Sequence, residues 1–277
     1  MKINELEMKK INNIQLEIFK EFIKICNQLN LKYYIIHGTL LGALRYKGFF
    51  PMDDDIDVAM PRNDYNIFLE KGPNIISKNL FIQSCYSEKE YPLSFSKIRN
   101  SNTTFIQPIL NNFNINKGIY IDIFPLDFYK KNNIVSLKNK IYSVRISSRF
   151  NSKKNNFKNN ILRNISKILI PSWHKAVIKK EKIYTRYKNT GKLINQCGKS
   201  NEKNMPEEWF GNGKIMQFEG MNVIAPSNYK KYLTLIYGDY KNFNPAAKYM
   251  NNDGTVEVSA DIVDTEKSYK YYKREEY

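Results

Sequence analysis

Apolar residues at Ile11, Ile14, Ile18, Phe22, Ile25 and Leu29 recur at spacings of three and four. That period places them on one face of a helix, and a single apolar face predicts core packing. The run Lys32-Tyr33-Tyr34-Ile35-Ile36-His37 is rich in aromatic and β-branched residues and reads as a strand. Gly38-Thr39 breaks it, and residues 40–45 read as a helix with Thr39 as its cap. Lys47-Gly48-Phe49-Phe50-Pro51 forms a turn. A second strand covers residues 55–60 and stops at Pro61, and a helix over residues 64–71 ends at Gly72-Pro73. Further strands fall within residues 94–104 and 115–124. In the latter, Ile119, Ile121 and Ile123 share one face and Asp122 takes the other. Residues 130–192 read as two or three helices with a loop at 151–156, and the chain ends in the polar tail 273–277. No solenoid repeat is present. This mixture of strands and helices predicts an α+β fold, a mixed sheet flanked by helices.

Charge changes the picture for one segment. The chain carries 44 Lys and Arg against 27 Asp and Glu, a net +17. Residues 130–188 hold 17 of those cations and a single acid, Glu181, so +16 of the excess lies there. A localised basic block implies an anionic partner, or a solvated basic helix surface. No nucleic-acid-binding motif or aromatic platform accompanies it, so nucleic acid is not an expected partner. The length of 277 residues fits one domain over 1–277 with a basic helical insertion at 130–192. Cys26, Cys85 and Cys197 are far apart, which excludes a zinc-ligand pair or a redox Cys-x-x-Cys and suits a reducing compartment. The first residues lack the apolar core of a signal peptide. No run reaches the roughly 18 apolar residues of a spanning helix. The expected location is cytoplasmic, with the basic block adding peripheral contact at the inner face of the membrane.

The candidate chemistry centres on Met52-Asp53-Asp54-Asp55-Ile56-Asp57. In a strand, residues two apart point the same way, so Asp55 and Asp57 share a face. Paired carboxylates repel, and a hard cation such as Mg²⁺ or Mn²⁺ resolves the repulsion with oxygen ligands. Asp53 has the same parity. The alternative is a solvated acidic turn. Gly38-Thr39, between strand and helix, could let backbone N–H groups approach a phosphate, or be an ordinary turn. Asp122 is a lone acid in an apolar strand, alternatively a solvent-facing one. Asp127 reads as a turn or cap residue. Lys97 and Arg99 share a strand face and either bind donor phosphates or face solvent. His37 is either a neighbour of the site or a structural histidine. With two His and three Cys in the chain, a zinc hydrolase or a Cys–His nucleophile is excluded as a leading reading.

The run His37-Gly38-Thr39-Leu40-Leu41-Gly42-Ala43-Leu44-Arg45, then Lys47-Gly48-Phe49 and Pro51-Met52-Asp53-Asp54-Asp55-Ile56-Asp57, resembles the signature of the LicD family. That family comprises bacterial phosphocholine transferases related to fukutin-type proteins. Lys97-Ile98-Arg99, the stretch from Gly118 to Asp127, Phe218-Glu219-Gly220 and Tyr237-Gly238-Asp239-Tyr240 extend the resemblance to about residue 245. It implies a nucleotidyltransferase-like sheet and a Gly-Thr turn at Gly38-Thr39. It further implies metal-holding, catalytic carboxylates at Asp55, Asp57 and Asp122, with Asp53 in reserve. Arg45, Lys97 and Arg99 would steady donor phosphates. The implied reaction moves phosphocholine from CDP-choline to a sugar hydroxyl of a surface-glycan precursor and releases CMP. Phosphoethanolamine, 2-aminoethylphosphonate, glycerol phosphate or ribitol phosphate are alternative cargoes. A nucleotidyltransferase that makes the donor is another alternative, and a non-enzymatic polyanion binder a further one. Two positions depart from the family pattern: Met52 stands where Trp is frequent, and no His follows Pro245 in residues 246–251.

Overall fold

The computed structural model describes residues 1–51, 53–150, 157–198, 200–243 and 255–272, with the backbone alone for 157–162. Met52, the 151–156 loop, the segment after Pro245 and the 273–277 tail therefore lie outside the described residues. In chain order the strands are β1 (Lys2–Ile3), β2 (Tyr34–Ile35), β3 (Asp57–Pro61), β4 (Leu80–Gln83), β5 (Ser96–Asn100), β6 (Thr104–Ile106) and β7 (Ile119–Phe128). They continue with β8 (Lys192–Ile194), β9 (Met205–Pro206), β10 (Lys214–Phe218), β11 (Met221–Ala225), β12 (Val256–Glu257) and β13 (Ile262–Asp264). The helices are α1 (Glu5–Leu29), α2 (His37–Tyr46), α3 (Arg62–Lys71), α4 (Asn133–Ser147), α5 (Phe157–Leu169), α6 (Trp173–Glu181) and α7 (Tyr229–Tyr237).

The long first helix forms where the apolar period places it. Asn4 caps it by accepting from the Glu7 N–H at 2.9 Å, and the Glu7 carboxylate accepts the Asn4 N–H in return. Its buried stripe contains one polar member, Gln15, whose amide donates to Asp54 O at 2.7 Å and to Tyr120 O at 3.3 Å. That amide ties the acidic loop to β7 from beneath.

The central sheet runs β2-β3-β7-β5-β4, with β8 pairing the last residues of β7 and β9 pairing β8. Only the β3–β7 pair within it is parallel, so the sheet is mixed and the fold α+β, as the sequence predicts. Parallel pairing puts Asp57 directly beside Asp122. Three details differ from the sequence reading. Helix α2 starts at His37, so Gly38 and Thr39 lie in its first turn and Thr39 is no cap. β3 begins at Asp57, so Asp55 is in the approach to the strand rather than in it. β7 is buried on both faces because α1 packs across it, so Asp122 is enclosed rather than turned to solvent.

The basic segment forms three helices, α4 to α6. They build a second core in which Trp173, Ala176, Val177, Ile146 and Ile170 pack on Tyr91, Leu110 and Phe113. One buried ionic cluster fastens this block to the sheet. Arg62, opening α3, grips Asp127 with two bonds of 2.7 and 2.8 Å, and also bonds Glu181 at the end of α6. The Tyr86 hydroxyl donates to the same Glu181 carboxylate at 2.5 Å. Asp127 is therefore an internal ion-pair partner on β7 rather than a turn or cap residue.

Candidate active site

The site assembles where β2 turns into α2, beside the leading end of β3. The Asp57 N–H donates to Thr39 Oγ1 at 2.8 Å, and its carbonyl accepts the Ile36 N–H. The Asp122 N–H donates to Ile56 O at 2.8 Å. Backbone bonds thus fix both acids before their side chains do anything. Asp55, Asp57 and Asp122 each offer a carboxylate oxygen, and these oxygens lie within 4.8 Å of one another. Asp53, Asp54 and Asp55 form a second such group, sharing Asp55.

This concentration of charge is internally repulsive. Burial holds the Asp55 carboxyl well above its ordinary pKa, and the charges of Asp57, Asp53, Asp54 and Asp122 push it further up. Asp53 is raised in the same way by burial and by Asp57 and Asp54. Its Oδ2 is a buried oxygen with no hydrogen-bond partner. Asp122 is pushed up to about 6 by burial and Asp57, against the pull of Lys97. Asp54 turns instead toward Ser259, whose N–H and hydroxyl lie at 3.3 and 3.4 Å.

Two buried cations offset part of the charge. Lys97 Nζ donates to Asp122 Oδ1 at 2.5 Å and sits 3.4 Å over the Tyr120 ring. His37 bridges two carboxylates, with Nδ1 at 3.0 Å from Asp57 Oδ2 and Nε2 at 2.7 Å from Glu202 Oε1. Burial alone would lower the imidazole pKa, but Asp57 and Glu202 outweigh it and push it up to about 10, so it is a cation that donates from both nitrogens. His37 holds a left-handed φ of 47°, a strained setting for a non-glycine residue that places the ring between its partners.

Glu202 is the residue that sequence reasoning missed, and the tyrosines beside it carried the family resemblance without a role in the site. Glu202 is fully buried and also accepts from Asn195 Nδ2 at 3.0 Å and the Tyr232 hydroxyl at 3.1 Å. Gly198 makes this possible, since a Cβ there would lie 2.3 Å from Glu202 Oε1. Tyr237, at the end of α7, has its phenol held high by burial and by Asp53, Asp57 and Asp55, which places it beside the acids.

The structure brings Gly38, Thr39, Asp53, Asp55, Asp57, Lys97 and Asp122 together and leaves two other candidates aside. Gly38 lies against Asp53, where a Cβ would meet Asp53 Oδ2 at 2.2 Å. Arg99 is wholly enclosed, its guanidinium turned to Gln83 Oε1 and Gly118 O and stacked over Tyr120. Neither the exposed face nor the reach to a donor phosphate read from its strand position is realised. Arg45 is at the far end of α2, about 12 Å along the helix from His37, where it donates to Phe243 O.

Residues 30–172 match the family described as LicD/FKTN/FKRP, nucleotidyltransferase domain, just over half of the chain. The chain belongs to the LicD family. The matched region contains all the converging aspartates and Lys97, whereas Glu202, Tyr232 and Tyr237 lie beyond it. A longer similarity spans both parts of this LicD-family chain. The lipopolysaccharide cholinephosphotransferase LicD of Haemophilus influenzae is 26% identical over 254 residues, covering 88% of this chain and 94% of that protein. Uncharacterised proteins of Rickettsia prowazekii and Rickettsia typhi are 28% and 27% identical over 42% and 44% of this chain, and 40% and 37% of their own.

Proposed function

We propose that this LicD-family enzyme transfers phosphocholine from CDP-choline to a sugar hydroxyl of a cell-surface glycan precursor, releasing CMP. One observation carries the reading. Two neighbouring carboxylates, Asp55 and Asp57, and the sequence-distant Asp122 converge within 4.8 Å, in a chain similar along 88% of its length to a lipopolysaccharide cholinephosphotransferase.

The donor set fits a hard divalent cation. All its atoms are carboxylate oxygens, and Asp53 adds a buried oxygen that lacks a partner. Asp55, Asp57 and Asp122 would hold Mg²⁺ or Mn²⁺, with Asp53 adjoining. When bound, such an ion neutralises charge on the diphosphate and polarises the transferring phosphoryl group. His37 bonds Asp57 Oδ2 and Lys97 donates to Asp122 Oδ1, so these two side chains would orient the carboxylates that hold the ion. Helix α2 begins without a side-chain cap, so its first-turn N–H groups at Gly38 and Thr39 suit a donor phosphate. In the reaction the acceptor oxygen bonds to the β-phosphorus, the bond from that phosphorus to the CMP oxygen breaks, and the hydroxyl proton passes to a carboxylate.

The test is a donor screen with Mg²⁺ or Mn²⁺ and the host glycan, following CMP release from CDP-choline, CDP-ethanolamine, CDP-glycerol and CDP-ribitol. Release restricted to another donor would replace choline in the reading. Pyrophosphate release from CTP and phosphocholine would instead make the protein a donor-synthesising nucleotidyltransferase.

A further inference from the structure

We propose that the outward faces of α5 and α4 form a docking surface for an anionic lipid bilayer. The first observation is an inverted pattern over residues 163–169 of α5. In α5 the small polar residue Ser166 is turned inward at 2% exposure, its hydroxyl donating to Arg163 O at 2.7 Å. Its aliphatic neighbours Ile165, Ile168 and Leu169 stand outward at 46, 78 and 59%. A helix packed only against its own protein and water places these residue types the other way round. Helix α4, which packs on α5, repeats the feature with exposed Ile134 and Leu137 one turn apart. Among the described residues, no other exposed large apolar residues lie within four positions of one another.

The second observation is charge. These stripes sit in the segment that holds +16 of the net +17, with Lys138 and Lys140 on α4 and Arg163 and Lys167 on α5. An aliphatic face rimmed by cations is the pattern that seats a helix at the headgroup boundary of an anionic bilayer. No helix among the described residues is long and apolar enough to cross a membrane, so the contact is peripheral. A nucleic acid would use the cations but not the aliphatic side chains, because single-stranded binders stack bases on exposed aromatic rings. Among the described side chains, the large exposed apolar residues on α4 and α5 are all Ile or Leu. The surface stands independently of which group the enzyme transfers.

Sedimentation of the full chain with vesicles tests this. The comparison is phosphatidylglycerol-containing against pure phosphatidylcholine vesicles, at low and high salt. The variant is Ile165→Gln/Ile168→Gln/Leu169→Gln. Its three sites are exposed and Gln is a good helix former, so far-UV circular dichroism and Tm should match the parent. The expected result is binding to anionic vesicles alone, weakened by salt, and at least about tenfold weaker in the variant. Absence of parent binding to anionic vesicles at low salt overturns the proposal. So does equal binding by the variant, which would show that the cations act alone. A single-stranded RNA that binds parent and variant equally and displaces the vesicles would reassign the surface to nucleic acid.

Discussion

Replacing Asp55 by Asn should stabilise the metal-free protein while removing its function. Asp55 lies within 4.8 Å of Asp57 and Asp122 oxygens, and its carboxyl is held high by burial and by four neighbouring acids. Two charges no more than 4.8 Å apart repel by at least about 3.5 kcal/mol at an effective dielectric constant near 20. The protein can limit that cost by keeping Asp55 protonated, which from an ordinary pKa of 3.8 costs about 4 kcal/mol at pH 7. Asn removes the charge at nearly constant volume, so the expected gain is roughly 2–4 kcal/mol, a rise in Tm of about 4–10 °C for a chain of this size. The assay is thermal denaturation in chelator at pH 7, repeated with saturating Mg²⁺. Mg²⁺ should raise the Tm of the parent and leave the variant nearly unmoved, because the variant has lost a ligand. A variant that melts at or below the parent in chelator would refute the repulsion argument. An unchanged Mg²⁺ shift would refute Asp55 as a ligand.

Three other perturbations probe the surroundings of the acids. Gly38→Ala should improve local helix propensity yet lower Mn²⁺ affinity measured by electron paramagnetic resonance, since the new Cβ meets Asp53 Oδ2 at 2.2 Å; unchanged affinity would show that Asp53 yields freely. Glu202→Gln removes one carboxylate from His37 and should cut turnover by about 10–100-fold with the fold retained, and a fully active variant would remove Glu202 from the account. Arg62→Met strands the buried carboxylates of Asp127 and Glu181 and should cost about 3–5 kcal/mol at pH 7. Stranded carboxyls have raised native pKa values, so the folded state binds more protons and the loss shrinks as pH falls toward 4. A Tm gap between variant and parent that is constant from pH 7 to pH 5 would contradict that assignment.

What the sequence disclosed of this site depended on how local each cause was. The α1 stripe, the α2 segment and the alternation around Asp122 each arise from residues within a few positions, and strand parity picked Asp55 with Asp57 although β3 begins only at Asp57, so Asp55 joins the group from the loop before the strand. The convergence of Asp57 with Asp122 rests on a parallel pairing of β3 and β7, which neither strand specifies by itself. Lys97 and Arg99 look identical in the sequence, both on one face of β5, but the first meets Asp122 across the strand pair and the second meets Gln83 and Gly118. Glu202 had no local signal at all. It belongs to a polar turn, and only the packing of Gly198, Asn195, Tyr232 and His37 around it reveals its place.

The most direct measurement is CMP release from CDP-choline by the parent protein and by Asp55→Asn and Asp57→Asn, with the host glycan and Mg²⁺ present. The expected result is metal-dependent release by the parent, its loss in chelator, and no turnover by either folded variant. Full turnover by either variant, or release that persists in chelator, would contradict it.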